Sequence, residues 1–102
     1  MSLVKHARTL LVIVAEAALE KLLVEAFRRH GAAFWTIGEV HSAGRDGVRE
    51  GDWEADRTIE IKVLCEPPVA DAIAAQIMES YAPHYSVALY FSEVGVLRPQ
   101  RY

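Results

Sequence analysis

The clearest candidate for chemistry is the stretch from residue 42 to residue 57, Ser42-Ala43-Gly44-Arg45-Asp46-Gly47-Val48-Arg49-Glu50-Gly51-Asp52-Trp53-Glu54-Ala55-Asp56-Arg57. Gly44, Gly47 and Gly51 free the backbone to turn its N–H groups toward an anion, and Arg45 and Arg49 between them supply planar forks of donors. A phosphate or a carboxylate is the group such a segment would take. Each charge-assisted hydrogen bond contributes about 1.5–3 kcal/mol, so two arginines and a few amides suffice to order a loop that is otherwise mobile. The same stretch also reads as a solvated loop whose arginines pair with its own Asp46, Glu50, Asp52, Glu54 and Asp56, a common and weak arrangement. Trp53 is the exception to its polarity. It needs cover from the body of the domain, a neighbouring subunit or a partner protein, and aromatic anchors of this kind are typical of interfaces.

Elsewhere the reactive side chains are dispersed. His6, His30, His41 and His84 show no i, i+4 pair and no accompanying carboxylate motif, which gives a zinc site little support. His84 beside Tyr85 stands in a turn, where it can touch a ligand or be satisfied by backbone. Ser42, Ser80, Ser86 and Ser92 lie in no nucleophile elbow, and no phosphate-loop lysine or dinucleotide fingerprint occurs. Cys65 is the single cysteine; it has no partner for an internal disulfide and reads as a core thiol.

The elements that must hold the 42–57 segment are legible from periodicity. Thr9–Ala15 is a β-branched apolar run without alternation, as expected of a central strand covered on both faces. From Glu16 to His30, Leu19, Leu22, Leu23, Ala26 and Phe27 recur at helical spacing, with Arg28, Arg29 and His30 in the last turn and Gly31 just beyond. Phe34–His41 returns to strand chemistry, with Gly38 leaving a gap in its side-chain surface. Thr58–Leu64 alternates, placing Ile59, Ile61 and Val63 on one face. Pro67 and Pro68 open a second helix through Val69, Ile73, Ile77 and Tyr81, which Pro83 closes. Tyr85–Leu97 is a long fourth strand, apolar on both parities, ended by Arg98-Pro99.

This order, β-α-β-β-α-β, specifies an α+β ferredoxin-like domain: a four-stranded antiparallel sheet with two helices on one face. The other face has no cover within the chain, and its first and fourth strands are apolar, so oligomerisation is expected. With 102 residues, 52% of them hydrophobic, the chain fits a single domain spanning 1–102 with one core. A formal net charge of −3, with 25% charged residues, creates no field that would draw nucleic acid or anionic lipid non-specifically. The apolar run Leu10–Ala15 is far below the roughly 20 residues that span a bilayer, and a cytoplasmic location is expected.

The element order, the strand Trp35-Thr36-Ile37-Gly38-Glu39-Val40, the long glycine- and arginine-bearing segment after it and the ending Glu93-Val94-Gly95-Val96-Leu97-Arg98-Pro99 together resemble the PII signal-transduction family. The run Gly44–Trp53 is similar to the PII-like branch associated with bicarbonate transporters and carboxysomes. The resemblance covers nearly the whole chain. It implies a homotrimer whose three inter-subunit clefts bind an adenine nucleotide, ADP or AMP, and whose flexible T-loop, about 42–57 here, reports the ligand to a partner. It places Thr36 near the adenine, Ser42 and Gly44 near ribose and phosphates, Arg45 and Arg49 on the phosphates, Leu64 and Leu89 in the adenine wall, and Arg98 and Arg101 on phosphates across the subunit boundary. It also implies a bicarbonate site built from Gly44, Arg45, Asp46, Gly47 and Arg49. On the chemistry of the residues themselves, Trp53 is the expected partner contact, and no catalytic or metal site is expected.

The sequence departs from the nitrogen-sensing members in three places. Asp46 stands where they carry the glutamine used for magnesium and 2-oxoglutarate, Tyr81–Ser86 replaces their glycine- and lysine-rich triphosphate turn, and the loop has no tyrosine to be uridylylated. ADP or AMP is therefore expected over ATP. The expected role is a regulator that signals to a bicarbonate transporter, a carboxysome-related protein or another carbon-uptake component. A small hydrolytic or metal-linked enzyme on the same fold, or a trimeric adaptor anchored by Trp53 without a small ligand, are the competing readings.

Overall fold

The computed structural model describes residues 1–44, 47–49 and 57–102, and for residues 44 and 47–49 it describes the backbone alone. Six strands and two helices are assigned: β1 His6–Glu16, α1 Glu20–Arg29, β2 Trp35–Val40, β3 Ser42–Gly44, β4 Gly47–Arg49, β5 Thr58–Cys65, α2 Pro67–Ser80 and β6 Val87–Val96. Four strands form one antiparallel sheet in the order β2-β5-β1-β6, and β3 pairs with β4 in a separate two-stranded ladder. The ferredoxin-like arrangement read from the sequence is thus present.

The register fixes which residues share a face. Leu11 lies opposite Val63 and Phe91, Ile13 opposite Ile61 and Leu89, and Ala15 opposite Ile59 and Val87. Trp35 and Ile37 on β2 extend the same rows past Val63 and Ile61. Both helices pack on this face: Leu23 and Phe27 of α1, with Ala70, Ile73 and Ile77 of α2, join Leu11, Ile13, Ile61 and Val63 in one core, every one of them at 0% exposure. The Phe27 ring meets Trp35 at 5.5 Å and the Arg28 guanidinium lies over that indole at 5.7 Å, so α1 is fastened to the β2 edge. Between the helices, His30 Nε2 and Gln76 Oε1 share a hydrogen bond of 2.6 Å.

The helix ends follow backbone chemistry. Gly31 adopts φ +87°, and its N–H and that of Ala32 donate to the carbonyls of Arg28 and Phe27 at 3.2 and 2.9 Å, the two bonds that stop a helix with a left-handed residue. The start of α1 differs from the sequence expectation. β1 continues through Glu16, a 3-10 turn spans Ala17–Leu19, and only then does the α-helix begin. The reason is a tertiary contact invisible to periodicity: Glu16 Oε2 accepts the backbone N–H of Ser86 at 2.8 Å, tying the end of β1 to the approach of β6. The segment after β2 also differs, since the β3–β4 ladder gives structure of its own to part of what reads as a plain connection.

On the opposite face of the sheet stand Leu10, Val12, Val14, Leu64, Tyr90 and Val94, among Thr36, Glu60 and Lys62. No helix of the described chain lies on that face, and Tyr90 is 54% exposed. Among the described residues, no helix is long and apolar enough to cross a membrane.

Ile61, at the centre of the helix-side core, sets the scale of what packing contributes. Ile61→Ala is expected to cost about 2–5 kcal/mol, read as a lower urea midpoint with an unchanged slope; a loss below about 1 kcal/mol would contradict the assigned core.

Candidate functional site

Two concavities flank β2 and β5, and they differ in chemistry. The first is an open groove of about 330 Å³ on the uncovered sheet face, lined by Leu10, Phe34, Thr36, Lys62, Leu64, Val94, Gly95 and Val96. Parity explains its composition. Leu10 and Leu64 are cross-strand partners, as are Thr36 and Lys62, so the floor is one continuous row-pair of the open face. The result is a mostly hydrocarbon slot with a hydroxyl and an ammonium at one side, at the small end of the range of ligand sites.

Its rim is built from a turn the sequence shows only as an ending. Past Val96 the chain bends into a 3-10 turn over Pro99–Arg101, flanked by Arg98 and Tyr102. The Tyr102 ring stands edge-on to Phe34 at 5.1 Å, and Phe34 is itself tied to β5 by the Leu64 N–H donating to its carbonyl at 3.3 Å. Arg8 Nη2 donates to the Pro99 carbonyl at 2.9 Å and Arg8 Nε to the Tyr102 carbonyl at 3.4 Å. Gly95 stands in close approach to Lys5: a Cβ there would lie 3.0 Å from the Lys5 Cβ, so that a larger residue would need Lys5 to shift by a few tenths of an ångström.

The second concavity, about 410 Å³, lies at the β2 edge on the helix side and is lined by Ala17, Glu20, Ile37, Gly38, Glu39, Arg57 and Ile59. Arg57 and Glu39 form an ion pair across it, and the Ala17 N–H donates to the Arg57 carbonyl at 2.8 Å. These contacts join the Arg57 end of the 42–57 segment to β2 and to the β1–α1 junction. The gap expected at Gly38 is real, since no atom stands within 4 Å of the position its Cβ would take.

The structure distributes the anticipated residues unevenly. Thr36 and Leu64 line one groove, and Arg98 and Arg101 belong to the turn whose Tyr102 meets the groove residue Phe34, without lining the groove themselves. Leu89 lies elsewhere: it is opposite Ile13 and packs against the helix-side core, across the sheet from Leu64. Strand parity is the cause, since residue 89 and the groove residue Val94 are an odd number of positions apart along β6. Ser42, Gly44, Gly47 and Arg49 belong to the β3–β4 ladder, in which Ser42 is the register partner of Arg49 and Gly44 of Gly47. Arg45, Asp46 and Trp53 lie outside the described residues. Phe34, Lys62, Leu10 and Arg8 were not singled out in the sequence. Arg8 carried one signal, a guanidinium at the head of an otherwise apolar strand.

Cys65 borders this region without joining it. The neighbouring Leu64 faces the groove, whereas Cys65 is buried at 2% exposure in the helix-side core. Burial, reinforced by the adjacent Glu66 carboxylate, pushes its thiol up to about 11. Among the described residues no group of three metal-binding side chains occurs.

Known proteins share this geometry. The family described as nitrogen regulatory protein P-II matches residues 8–101. No curated protein matches the chain. Among solved structures, a PII-like signalling protein from Thermus thermophilus is 37% identical, with 96% of this chain and 97% of that one covered and a TM-score of 0.83. CPII from Thiomonas intermedia K12, solved bound to ADP and bicarbonate, is 19% identical over 98% of both chains, with a TM-score of 0.87. The GlnK–ATP complex of B. subtilis is 15% identical over 94% of this chain and 96% of that one, with a TM-score of 0.58.

The thiol gives a direct test of the burial assigned to β5. The folded state holds the Cys65 proton up to about 11 against an ordinary 9.0. Above pH 9 the unfolded chain therefore releases its proton first, and stability is expected to fall as pH rises from about 9 to about 11. A Cys65→Ala variant should lose that part of the alkaline slope. At pH 8, Ellman's reagent is expected to react slowly with native protein and at once in urea, and rapid native reaction would refute a buried Cys65.

Proposed function

The chain belongs to the nitrogen regulatory protein P-II family of signalling proteins, and we propose on that footing that it is a sensor of adenine nucleotides, ADP or AMP, acting through the 42–57 segment. The observation that carries the reading is the open-face groove, which gathers Thr36 and Leu64 with Leu10, Phe34 and Val94. A flat heteroaromatic ring suits a slot walled by Leu10, Phe34, Leu64 and Val94, and the guanidinium groups of a turn brought by a neighbouring subunit suit phosphate oxygens. The ligands seen in CPII, ADP with bicarbonate, are of this chemistry.

The active unit in this reading is a homotrimer of the single domain 1–102. The apolar open face supports it, since Leu10, Val14, Leu64 and Val94 remain only partly covered within one chain. Ser42, Gly44, Arg45 and Arg49 approach ribose and phosphates from the foot of the loop, and Arg98 and Arg101 from a neighbouring subunit. Leu89, on the helix side of the sheet, is left out of the adenine wall of its own chain. Bicarbonate is the second ligand, held by the amides and arginines of Gly44, Arg45, Asp46, Gly47 and Arg49. Ligand binding selects one loop conformation, which presents Trp53 to a carbon-uptake partner such as a bicarbonate transporter or a carboxysome-related protein. For that selection to act as a switch, the ligand must favour one loop state by a few kcal/mol, within reach of two charge-assisted contacts.

Calorimetry tests the reading. Wild type is expected to bind ADP and AMP more tightly than ATP, and Arg45→Ala combined with Arg49→Ala is expected to weaken ADP by at least about a hundredfold, two charge-assisted bonds at the lower end of their range, about 1.5 kcal/mol each. Unchanged ADP affinity in the double variant would remove both arginines from the site. Sedimentation equilibrium is expected to give a trimer, and a monomer at micromolar concentration would overturn the inter-subunit cleft.

A further inference from the structure

We infer that Arg8 is a positioning residue for the phosphate end of the nucleotide site: its guanidinium clamps the turn that carries Arg98 and Arg101, and so sets how they meet the phosphates across the subunit boundary. The inference rests on the nucleotide reading above and adds to it a residue that does not touch the ligand.

The geometry is unusual for a residue at the head of a strand. Arg8 sits on β1 opposite Val94, on the same face as Leu10, so its side chain starts from the groove's own floor rows. From there it reaches two carbonyls of one turn at the far end of the sequence, Nη2 to Pro99 at 2.9 Å and Nε to Tyr102 at 3.4 Å, while Nη1 is braced on the Ala7 carbonyl at 2.8 Å. A rigid fork is suited to this task, because it can hold two acceptors at a fixed separation where an ammonium holds them one at a time.

Among the described residues, few other contacts hold the turn. Its own bonds are Arg101 N–H to the Arg98 carbonyl at 3.1 Å and Tyr102 N–H to the Pro99 carbonyl at 3.2 Å, both local. Its ring contact to the body of the domain is Tyr102 on Phe34. Arg98 and Arg101 are exposed, and long charged side chains in solvent lose rotamer freedom when they bind. A backbone already fixed at both ends of the turn lowers that cost, which is how a residue off the ligand can raise affinity for it.

Three measurements on the full chain separate this role from simple structural support. In Arg8→Ala, ADP affinity by calorimetry is expected to fall about tenfold, the order of one charge-assisted bond, while adenosine, which has no phosphate, stays within about twofold of wild type. Amide exchange at Arg101 and Tyr102 is expected to accelerate without a matching change in β1 or β5. Arg8→Lys, which keeps the charge and guards against a failure of Arg8→Ala to fold, is expected to remain impaired for ADP. Equal losses for ADP and adenosine, unchanged ADP affinity, or full recovery in Arg8→Lys would each overturn the clamp. Wild-type protein that binds neither ADP nor adenosine overturns the nucleotide reading and this role together, whereas wild-type binding with an indifferent Arg8→Ala overturns the role of Arg8 alone.

Discussion

The strand β1 is hydrogen-bonded on both sides, to β5 and to β6, and both of its faces are apolar. This double requirement governs the rest. On one side Leu11, Ile13 and Ala15 are met by two helices, which fill the space with Leu23, Phe27, Ile73 and Ile77. On the other, Leu10, Val12 and Val14 are flanked by Leu64, Tyr90 and Val94 but capped by no element of the described chain. Hydrophobic burial is non-directional, so it cannot say what must cover that face; it only makes exposure costly. What gives this greasy face a distinct groove is its interruption by Thr36 and Lys62 and the return of the last turn, whose Tyr102 meets Phe34.

Much of this was legible in the residues because the signals were local and consistent. The alternation of Ile59, Ile61 and Val63 placed β5 with one face inward, Gly31 marked the stop of α1, and Pro67 the start of α2; all three stand in the structure where they were expected. The limits of that reading were long-range contacts. Glu16 reads as the first acid of a helix and is instead the last residue of a strand, because its carboxylate serves Ser86, 70 positions away. Leu89 reads as one more apolar residue of β6, and only the register shows that it turns to the helices. Arg8 and Phe34 gave no motif at all, since their meaning arises when the chain's two ends come together at the turn.

Groove and loop make different physical demands. The groove is lined largely by strand residues set by backbone pairing, with Gly95 in close approach to Lys5. The loop is held at its foot by contacts of another sort, the Glu39–Arg57 pair and the bond from Ala17 to the Arg57 carbonyl. A groove built from paired strands is fixed by the backbone, whereas the foot of the segment is held by side-chain and single backbone contacts, which are weaker and more easily rearranged.

The β3–β4 ladder has an implication for how chains of this kind can diverge. Ser42 faces Arg49, and Gly44 faces Gly47, with residues 45 and 46 between them. Gain or loss of one residue in that link would bring Val48 or Glu50 opposite Ser42, whereas adding residues beyond Arg49 leaves every pair intact. Insertions and deletions among related genes should therefore accumulate between 50 and 56 and be purged from the short link, so that length variation itself becomes a record of which part of the segment is under geometric selection.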